Sequence, residues 1–295
     1  MAADFAVVVC TRNRAAHLAR TLDALEAQED RDFEVLVVDQ SDAVDLDLAA
    51  REVAGRCRVL RGTGRGLSRA RNAAWPLVEA RWVVFVDDDC LTPPDWSRRL
   101  RAALAEHRDA AFVTGHVGEH RRGDTDDLVV SAFPVARTVV RRGRRTWPWA
   151  VGFGVCMAVR RDWIERLGGW DERLGAGVPA LPAGEDMDFN HRLLRAGGTA
   201  VAVADVRCLH DQWRTRAELP GVFEGYATGW AGFSVKQLRT GHPLEFARLW
   251  GFGAYGALKM IASAGRRRSR LRLRVGLALC RGHLVGTGRA LRVRW

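Results

Sequence analysis

The sequence predicts an α/β fold: a mixed, mainly parallel sheet flanked by helices, with a basic helical extension at its C-terminal end. Three observations carry that prediction. Apolar runs rich in β-formers, among them Phe5–Val9, Phe33–Val38 and Trp82–Val86, end in polar clusters. That is the pattern of buried strands whose ligand-binding ends lie along one sheet edge. The first two runs enclose apolar residues at helical spacing, so strand, helix and strand fit into about thirty-five residues, a βαβ unit with parallel strands. The charge is also divided. The chain has 46 Lys and Arg against 35 Asp and Glu; residues 246–295 hold eleven Arg, one Lys and no acid, which leaves residues 1–245 at −1. The division predicts a first domain over residues 1–218 and a helical, Arg-rich extension over 219–295.

Taken in order, Phe5–Val9 is the first strand and runs into Cys10-Thr11-Arg12-Asn13-Arg14. Ala15, Leu18, Leu22 and Leu25 then lie on one face of a helix. Phe33–Val38 is the second strand, ending at Asp39. Arg58–Leu60 is a short third strand, and the glycine-rich turn Arg61–Gly66 leads into a helix over Leu67–Val78 disturbed by Pro76. Trp82–Val86 runs straight into Asp87, Asp88 and Asp89. Pro94 suits the first turn of a helix that reaches His107, and Ala111–Thr114 is another short strand. Glu119–Asp127 is polar and reads as a mobile loop. Phe153–Val159 is a strand whose glycine admits a close neighbour, and a helix near Arg161–Leu167 stops at Gly168-Gly169. The Gly-, Pro- and Ala-rich segment 175–184 reads as a flexible loop or lid that delivers Glu185 and Asp186 to a helix ending at Gly197-Gly198. Val201–Val203 is a last short strand, leading toward His210.

The bulk properties exclude several classes. With 47% hydrophobic residues the composition is that of a folded protein. Its six cysteines form no CxxC pair, which argues against a zinc site or disulfide framework and fits a reducing compartment. Met1–Asp4 leads directly into the first strand, so no secretory signal is read. No lysine follows a glycine, which removes the phosphate loop GxxxxGK[ST], and the first strand ends in CTRNR rather than GxGxxG.

Three constellations remain. Asp87, Asp88 and Asp89 repel one another, and a divalent cation such as Mg²⁺ or Mn²⁺ would remove that repulsion; a solvated acidic turn is the other reading. Glu185, Asp186 and Asp188 open a helix, where acids compensate the macrodipole by about 0.3–1 kcal/mol each. After a lid, a carboxylate there also suits a general base. His210, beside Asp211, is a structural histidine unless the fold brings it to Asp89.

The joint order VVVCTRNR, FEVLVVDQSD, GLSRARNAA, VVFVDDDC, WDERLG, GEDMDFNHRLLRAGG and a terminal His resembles family 2 glycosyltransferases of the Rossmann-like GT-A fold, over about residues 4–212. The resemblance implies a nucleoside-diphosphate-sugar donor, with a UDP-sugar as the first expectation, and a divalent cation, Mn²⁺ or Mg²⁺. It places Thr11, Arg12, Arg14 and Asp39 at base and ribose, with Arg71 and Asn72 shaping that pocket. Asp87–Asp89 match the DXD motif, Asp87 and Asp88 nearer the ribose and Asp89 as the direct metal ligand, joined by His210. Asp186 is the expected base for a one-step inverting displacement, and Glu185 and Trp170 position the acceptor, Trp170 by stacking on a sugar face. Arg12 departs from the family, standing where an aromatic residue is common, and Cys90 stands where many relatives carry another acid or a polar residue.

The tail carries a separate expectation. Residues 243–264 are apolar but interrupted by Glu245, Arg248 and Lys259, against a spanning helix. Residues 266–294 alternate Leu or Val with Arg, as in basic amphipathic helices that lie on anionic membranes. The reading is a cytoplasmic enzyme, peripheral on the inner face of the plasma membrane, with a hydroxyl acceptor that includes lipid-linked ones and no nucleic-acid partner. Helices packed on the domain, or a homo-oligomer contact, are the other uses of such a tail. The rival functions are a non-catalytic nucleotide-sugar or nucleic-acid binding protein on the same fold and a related nucleotidyltransferase.

Overall fold

Phe5 to Val9 have no exposed surface, and the strand they form sits in the middle of the sheet. This strand, β1 (Phe5–Thr11), pairs in parallel with β2 (Glu34–Asp39) on one side and β4 (Trp82–Asp87) on the other. The short β3 (Arg58–Arg61) adds to β2, again in parallel. Beyond β4 the direction reverses: β8 (Cys156–Arg160) runs antiparallel to β4 and to β6 (Phe112–Glu119). The long β9 (Thr199–His210) lies parallel to β6 and carries β5 (Cys90–Leu91) and β7 (Val139–Arg142) as antiparallel partners. The nine strands therefore follow the order β3-β2-β1-β4-β8-β6-β9-β5, with β7 on β9. The computed structural model describes residues 4–62, 64–120, 125, 128 and 130–295. Thr63 of the glycine-rich turn and most of the polar loop expected at Glu119–Asp127 lie outside the described residues.

Helices cover both faces. One core layer packs Leu18, Leu22 and Leu25 of α1 (Ala15–Glu26), Leu48 of α2 (Leu46–Val53) and Leu100 and Leu104 of α4 (Trp96–Glu106) against β1 and β4. The opposite layer packs α3 (Leu67–Ala74), α5 (Arg161–Leu167) and α6 (Glu185–Arg195) around Phe85, Trp170 and Phe189. The sequence reading lacked α2, whose eight residues start at an Asp45 cap accepting from the amides of Asp47 and Leu48. It also ended the last strand at Val203. The strand instead shifts register between Gly115 and His116 and continues to His210, so residues 204–206 form an irregularity that hides its length. At Gly115 a side chain would collide with the Val206 carbonyl, which explains a glycine in that strand.

Three long helices close the chain: α7 (Leu219–Arg239), α8 (Pro243–Arg267) and α9 (Arg270–Ala290). Gly282 and Gly286 of α9 sit against the Glu224 and Thr228 carbonyls of α7, where any Cβ would clash. On its other side α7 uses Gly229 and Gly232 to admit Ala183 and Leu181. The segment 175–184, expected as a flexible loop or lid, is anchored at its C-terminal half: Leu181 is fully buried, and Arg289 of α9 donates to the carbonyls of Pro179 and Ala180, both at 3.3 Å, while Ala176, Gly177, Pro179 and Ala180 stay exposed. Among the described residues no helix is long and apolar enough to cross a membrane.

Candidate active site

The strand ends form one wall of a cavity of about 930 Å³. In register, Thr11 faces Asp39 and Cys10 faces Asp87, so the polar ends of β1, β2 and β4 share one edge. Thr11 Oγ1 donates to Asp88 Oδ2 at 2.7 Å. Arg14 Nη1 donates to Asp88 Oδ1 at 2.8 Å and reaches Asp89 Oδ2 at 3.3 Å. His210 arrives through the sheet: β5 and β9 pair Cys90 with His210, which sets the imidazole beside the preceding Asp89. Its Nε2 lies 3.3 Å from Asp89 Oδ1, and Trp213 Nε1 donates to Asp89 Oδ2 at 2.9 Å.

The three aspartates are not equivalent. Desolvation pushes Asp87 up to about 7, opposed by the charge of Arg71 and reinforced by Asp89. Desolvation also raises Asp88, against the pull of Arg14. At Asp89 the same desolvation is outweighed by the hydrogen bond and charge of His210, helped by Trp213 and Arg14, which bring it down to about 2. Burial works against the charged form of His210, yet its bond to Asp89 raises it. Asp89 is thus the carboxylate held ionised.

The other wall comes from α6. Arg71, 1% exposed, lies 3.8 Å from Asp87 Oδ1 and 3.7 Å from Glu185 Oε1, a buried cation between the strand-end acids and the α6 acids. Its Nη2 donates to the Gly154 carbonyl at 3.3 Å, and its Nη1 has no hydrogen-bond partner. A side chain at Gly154 would displace this guanidinium. The Gly154 amide donates to Asp186 Oδ2 at 2.7 Å, which fixes the orientation of that carboxylate. Burial, reinforced by the neighbouring Asp186 and opposed by Arg71, pushes Glu185 well above the ordinary carboxylate range.

Asp89 and His210 fit a hard divalent cation. Adjacent ligands of an octahedral ion bound at about 2.1 Å stand about 3 Å apart, close to their separation. Among the described residues no three His, Cys, Asp or Glu side chains form a ready cage. Two protein donors suit an ion that keeps water or substrate phosphate as its remaining ligands. One local adjustment is required. Gln212 is held by Val130, whose amide donates to Oε1 at 3.0 Å and whose carbonyl accepts from Nε2 at 2.7 Å. Its Nε2 lies 3.0 Å from His210 Nδ1, so the neutral imidazole carries its proton on Nε2. A cation at Nε2 requires the proton on Nδ1; turning the Gln212 amide over would oppose both Val130 bonds, so the Gln212 side chain has to swing away from the ring.

A family model described as glycosyl transferase family 2 matches residues 6–168, more than half of the chain. The chain belongs to glycosyltransferase family 2. A PGL/p-HBAD biosynthesis glycosyltransferase of Mycobacterium bovis is 32% identical over 118 residues, 38% of this chain and 46% of that protein. Validoxylamine A glucosyltransferase of Streptomyces hygroscopicus is 28% identical over 218 residues, 63% of this chain and 50% of that protein. This family 2 chain thus spans about half the length of these two relatives. Among solved structures, mannosyltransferase PcManGT of Pyrobaculum calidifontis, in complex with GDP-Man and Mn²⁺, superposes with a TM-score of 0.61 at 18% identity, covering 99% of this chain and 88% of that one. The curled sheet with helices on both faces is the GT-A fold.

The fold gathers most residues that the sequence singled out. Thr11, Arg12, Arg14, Arg71, Asp87, Asp88, Asp89, Glu185, Asp186 and His210 all border the one cavity. Arg12 is held there by both oxygens of Asp42, each at 3.0 Å. Asp39 ends β2 behind the wall, its Oδ1 accepting from the Ser41 amide at 2.9 Å, and Gln40 fronts the cavity. Two expectations are corrected. Trp170 is 2% exposed, with its ring stacked on Phe189 at 4.5 Å and edge-on to Phe85 at 4.9 Å; it is a core residue and offers no face to a sugar. Asn72 does not border the cavity: its amide bonds both ends to the Trp170 backbone, at 2.8 Å each, and so pins the chain after Gly169. Residues the sequence reading passed over include Gln212 and Trp213, two and three positions beyond His210, and Lys236, one of two lysines in the chain.

Proposed function

We propose that this family 2 chain transfers a sugar from a nucleoside-diphosphate-sugar to an acceptor hydroxyl by one inverting displacement. The observation that carries this reading is Arg71, placed between Asp87 and Glu185 at 3.8 and 3.7 Å, which puts donor-side and acceptor-side acids in one cavity. On the donor side Thr11, Arg12, Arg14 and the strand-end acids hold the nucleotide. Asp89 and His210 would hold Mn²⁺ or Mg²⁺, which would supply charge stabilisation for the departing diphosphate. Asp186 takes the acceptor hydroxyl proton as the acceptor oxygen bonds to the anomeric carbon, and the nucleoside diphosphate leaves from the opposite face. Glu185, held protonated, donates a hydrogen bond to the acceptor. The Gly154 amide keeps Asp186 aimed, so the base needs little reorganisation. Calorimetric titration of nucleotide-sugars with Mn²⁺, run on the wild type and on Asp186→Asn beside a transfer assay, tests the assignment. Donor binding that survives in the variant while transfer disappears supports it; loss of donor binding contradicts it.

We also propose a sugar-transfer domain over residues 1–218, with 219–295 as a helical extension that completes the acceptor side and lies peripherally on an anionic membrane at the cytoplasmic face. Leu244, Tyr255 and Leu258 of α8 are exposed on one face, as are Leu273, Leu277 and Leu284 of α9. Arg266, Arg267, Arg268, Arg270 and Arg274 cluster where the two helices turn, and no acid follows Glu245. Apolar faces rimmed by cations suit the headgroup region of an anionic bilayer.

A further inference from the structure

Resting on the sugar-transfer reading, we infer that the acceptor is amphipathic: the cavity carries a second, aromatic subsite that takes an apolar ring attached to the reacting hydroxyl. The strand-end wall is charged, but the wall beside α6 is not. Trp149, Phe252, Trp230 and Tyr226 border the same cavity as Glu185 and Asp186. Trp149, Phe252 and Tyr226 remain 38%, 38% and 39% exposed, a cost in water that a monomer rarely carries as one cluster.

The cluster is built rather than incidental. Trp149 stacks on Phe252, with centroids 6.0 Å apart and planes 15° from parallel. Phe252 is backed by Trp147 at 4.8 Å and Trp230 at 5.8 Å. Arg248 lies over the Trp147 ring at 3.9 Å, and Trp230 Nε1 donates to the Leu249 carbonyl at 2.8 Å. These contacts fix a rigid apolar face.

Its position assigns it to the acceptor. The turn bearing Trp149 is tied to α6, since Asn190 Nδ2 donates to the Pro148 carbonyl at 3.2 Å. The helix bearing Tyr226 and Trp230 touches α6 at its start, where Gly229 meets Ala183 and Gly184. The aromatic face therefore flanks the start of α6, which carries Glu185 and Asp186; its Tyr226 also reaches Ser131 at 3.3 Å, next to the Val130 that holds Gln212. From Phe252 the apolar surface continues along α8 through Tyr255 and Leu258, an outlet for a longer apolar group.

The test uses the full chain with Mg²⁺ and UDP, and phenyl and methyl β-D-glucopyranosides as probes whose aglycones alone differ. Titration by ligand-observed NMR is expected to give the phenyl glycoside at least about tenfold higher affinity, the equivalent of burying most of one ring. Trp149→Ala and Phe252→Leu are each expected to reduce that advantage severalfold. Equal affinity of the two probes, or no binding of the phenyl glycoside, overturns the proposal without any variant. So does displacement of the phenyl glycoside by added UMP or GMP, which would make the aromatic face a nucleobase site. A phenyl preference in a chain that binds no nucleotide-sugar would instead separate this inference from the sugar-transfer reading and sink only the latter.

Discussion

Lys236 of α7 donates to Asp188 of α6 at 2.6 Å, and the same ammonium reaches Asp171 at 2.8 Å. Asp188 has no exposed surface and also accepts from Arg192 at 2.8 Å. Asp171 is bound by Arg173, whose Nη1 donates to the Arg294 carbonyl at 2.6 Å and whose guanidinium lies over the Trp295 ring at 5.0 Å. The last residues of the chain are thus tied to the helix that carries the proposed base. Lys236→Met leaves Asp188 to Arg192 and Asp171 to Arg173 alone, and is expected to cost about 1.5–3 kcal/mol in denaturant unfolding, with Lys236→Arg recovering part of it. Deleting residues 219–295 removes Gly229, Gly232 and Lys236 together and should cost more. A Lys236→Met protein as stable as the wild type would show that α7 is not the anchor of α6.

The split between the paired acids gives a contrast of rates. Asp186→Asn removes the proton acceptor and is expected to lower kcat by about 10²–10⁴-fold. In the proposed mechanism Glu185 acts as a hydrogen-bond donor, in line with its raised value, so Glu185→Gln keeps that donor and should cost about tenfold or less. Equal losses in the two variants, measured in one transfer assay, would contradict the division of roles.

His191 supplies a pH signature away from the strand-end acids. Burial presses its imidazole down to about 4, although Glu245, 3.4 Å away, pulls the other way. A folded-state value below the unfolded value near 6.5 means that the unfolded chain binds the proton first. The contribution is therefore complete above about pH 6.5 and is lost as the pH falls toward 4, at most about 3 kcal/mol. Unfolding midpoints measured between pH 7 and 4 should fall less steeply for His191→Gln than for the wild type. Identical slopes would remove His191 from the account.

Much of the fold was legible because its signals are local. Unbroken β-forming runs such as Trp82–Val86 announce strands that are buried on both faces, and the acids at their ends announce the sheet edge. What stayed hidden depends on partners far along the chain. His210 becomes a neighbour of Asp89 only through the two-residue strand β5, too short to carry a pattern, and the irregularity at 204–206 conceals the strand that delivers it. The aromatic positions illustrate the same limit. Trp170 and Trp149 both follow turn residues in the sequence, and only packing shows that Phe85 and Phe189 enclose the first while Phe252 presents the second to the cavity.

Membrane attachment is tested by co-sedimentation with vesicles. The full chain is expected to bind phosphatidylglycerol-containing vesicles, and replacing Arg266, Arg267 and Arg268 by Glu should weaken that binding at least about tenfold. Equal binding to neutral phosphatidylcholine vesicles, or an unaffected triple variant, would point to the helices serving another contact.

The central claim, a nucleotide-sugar site completed by a divalent cation at Asp89 and His210, is reached most directly by thermal unfolding with a panel of nucleotide-sugars. At least one is expected to raise the midpoint of the wild type by several degrees in the presence of Mn²⁺, the shift for ligand well above its Kd. That shift should disappear with chelator and in Asp89→Ala. A panel in which no nucleotide-sugar protects the wild type with Mn²⁺, or in which Asp89→Ala is protected equally, would contradict it.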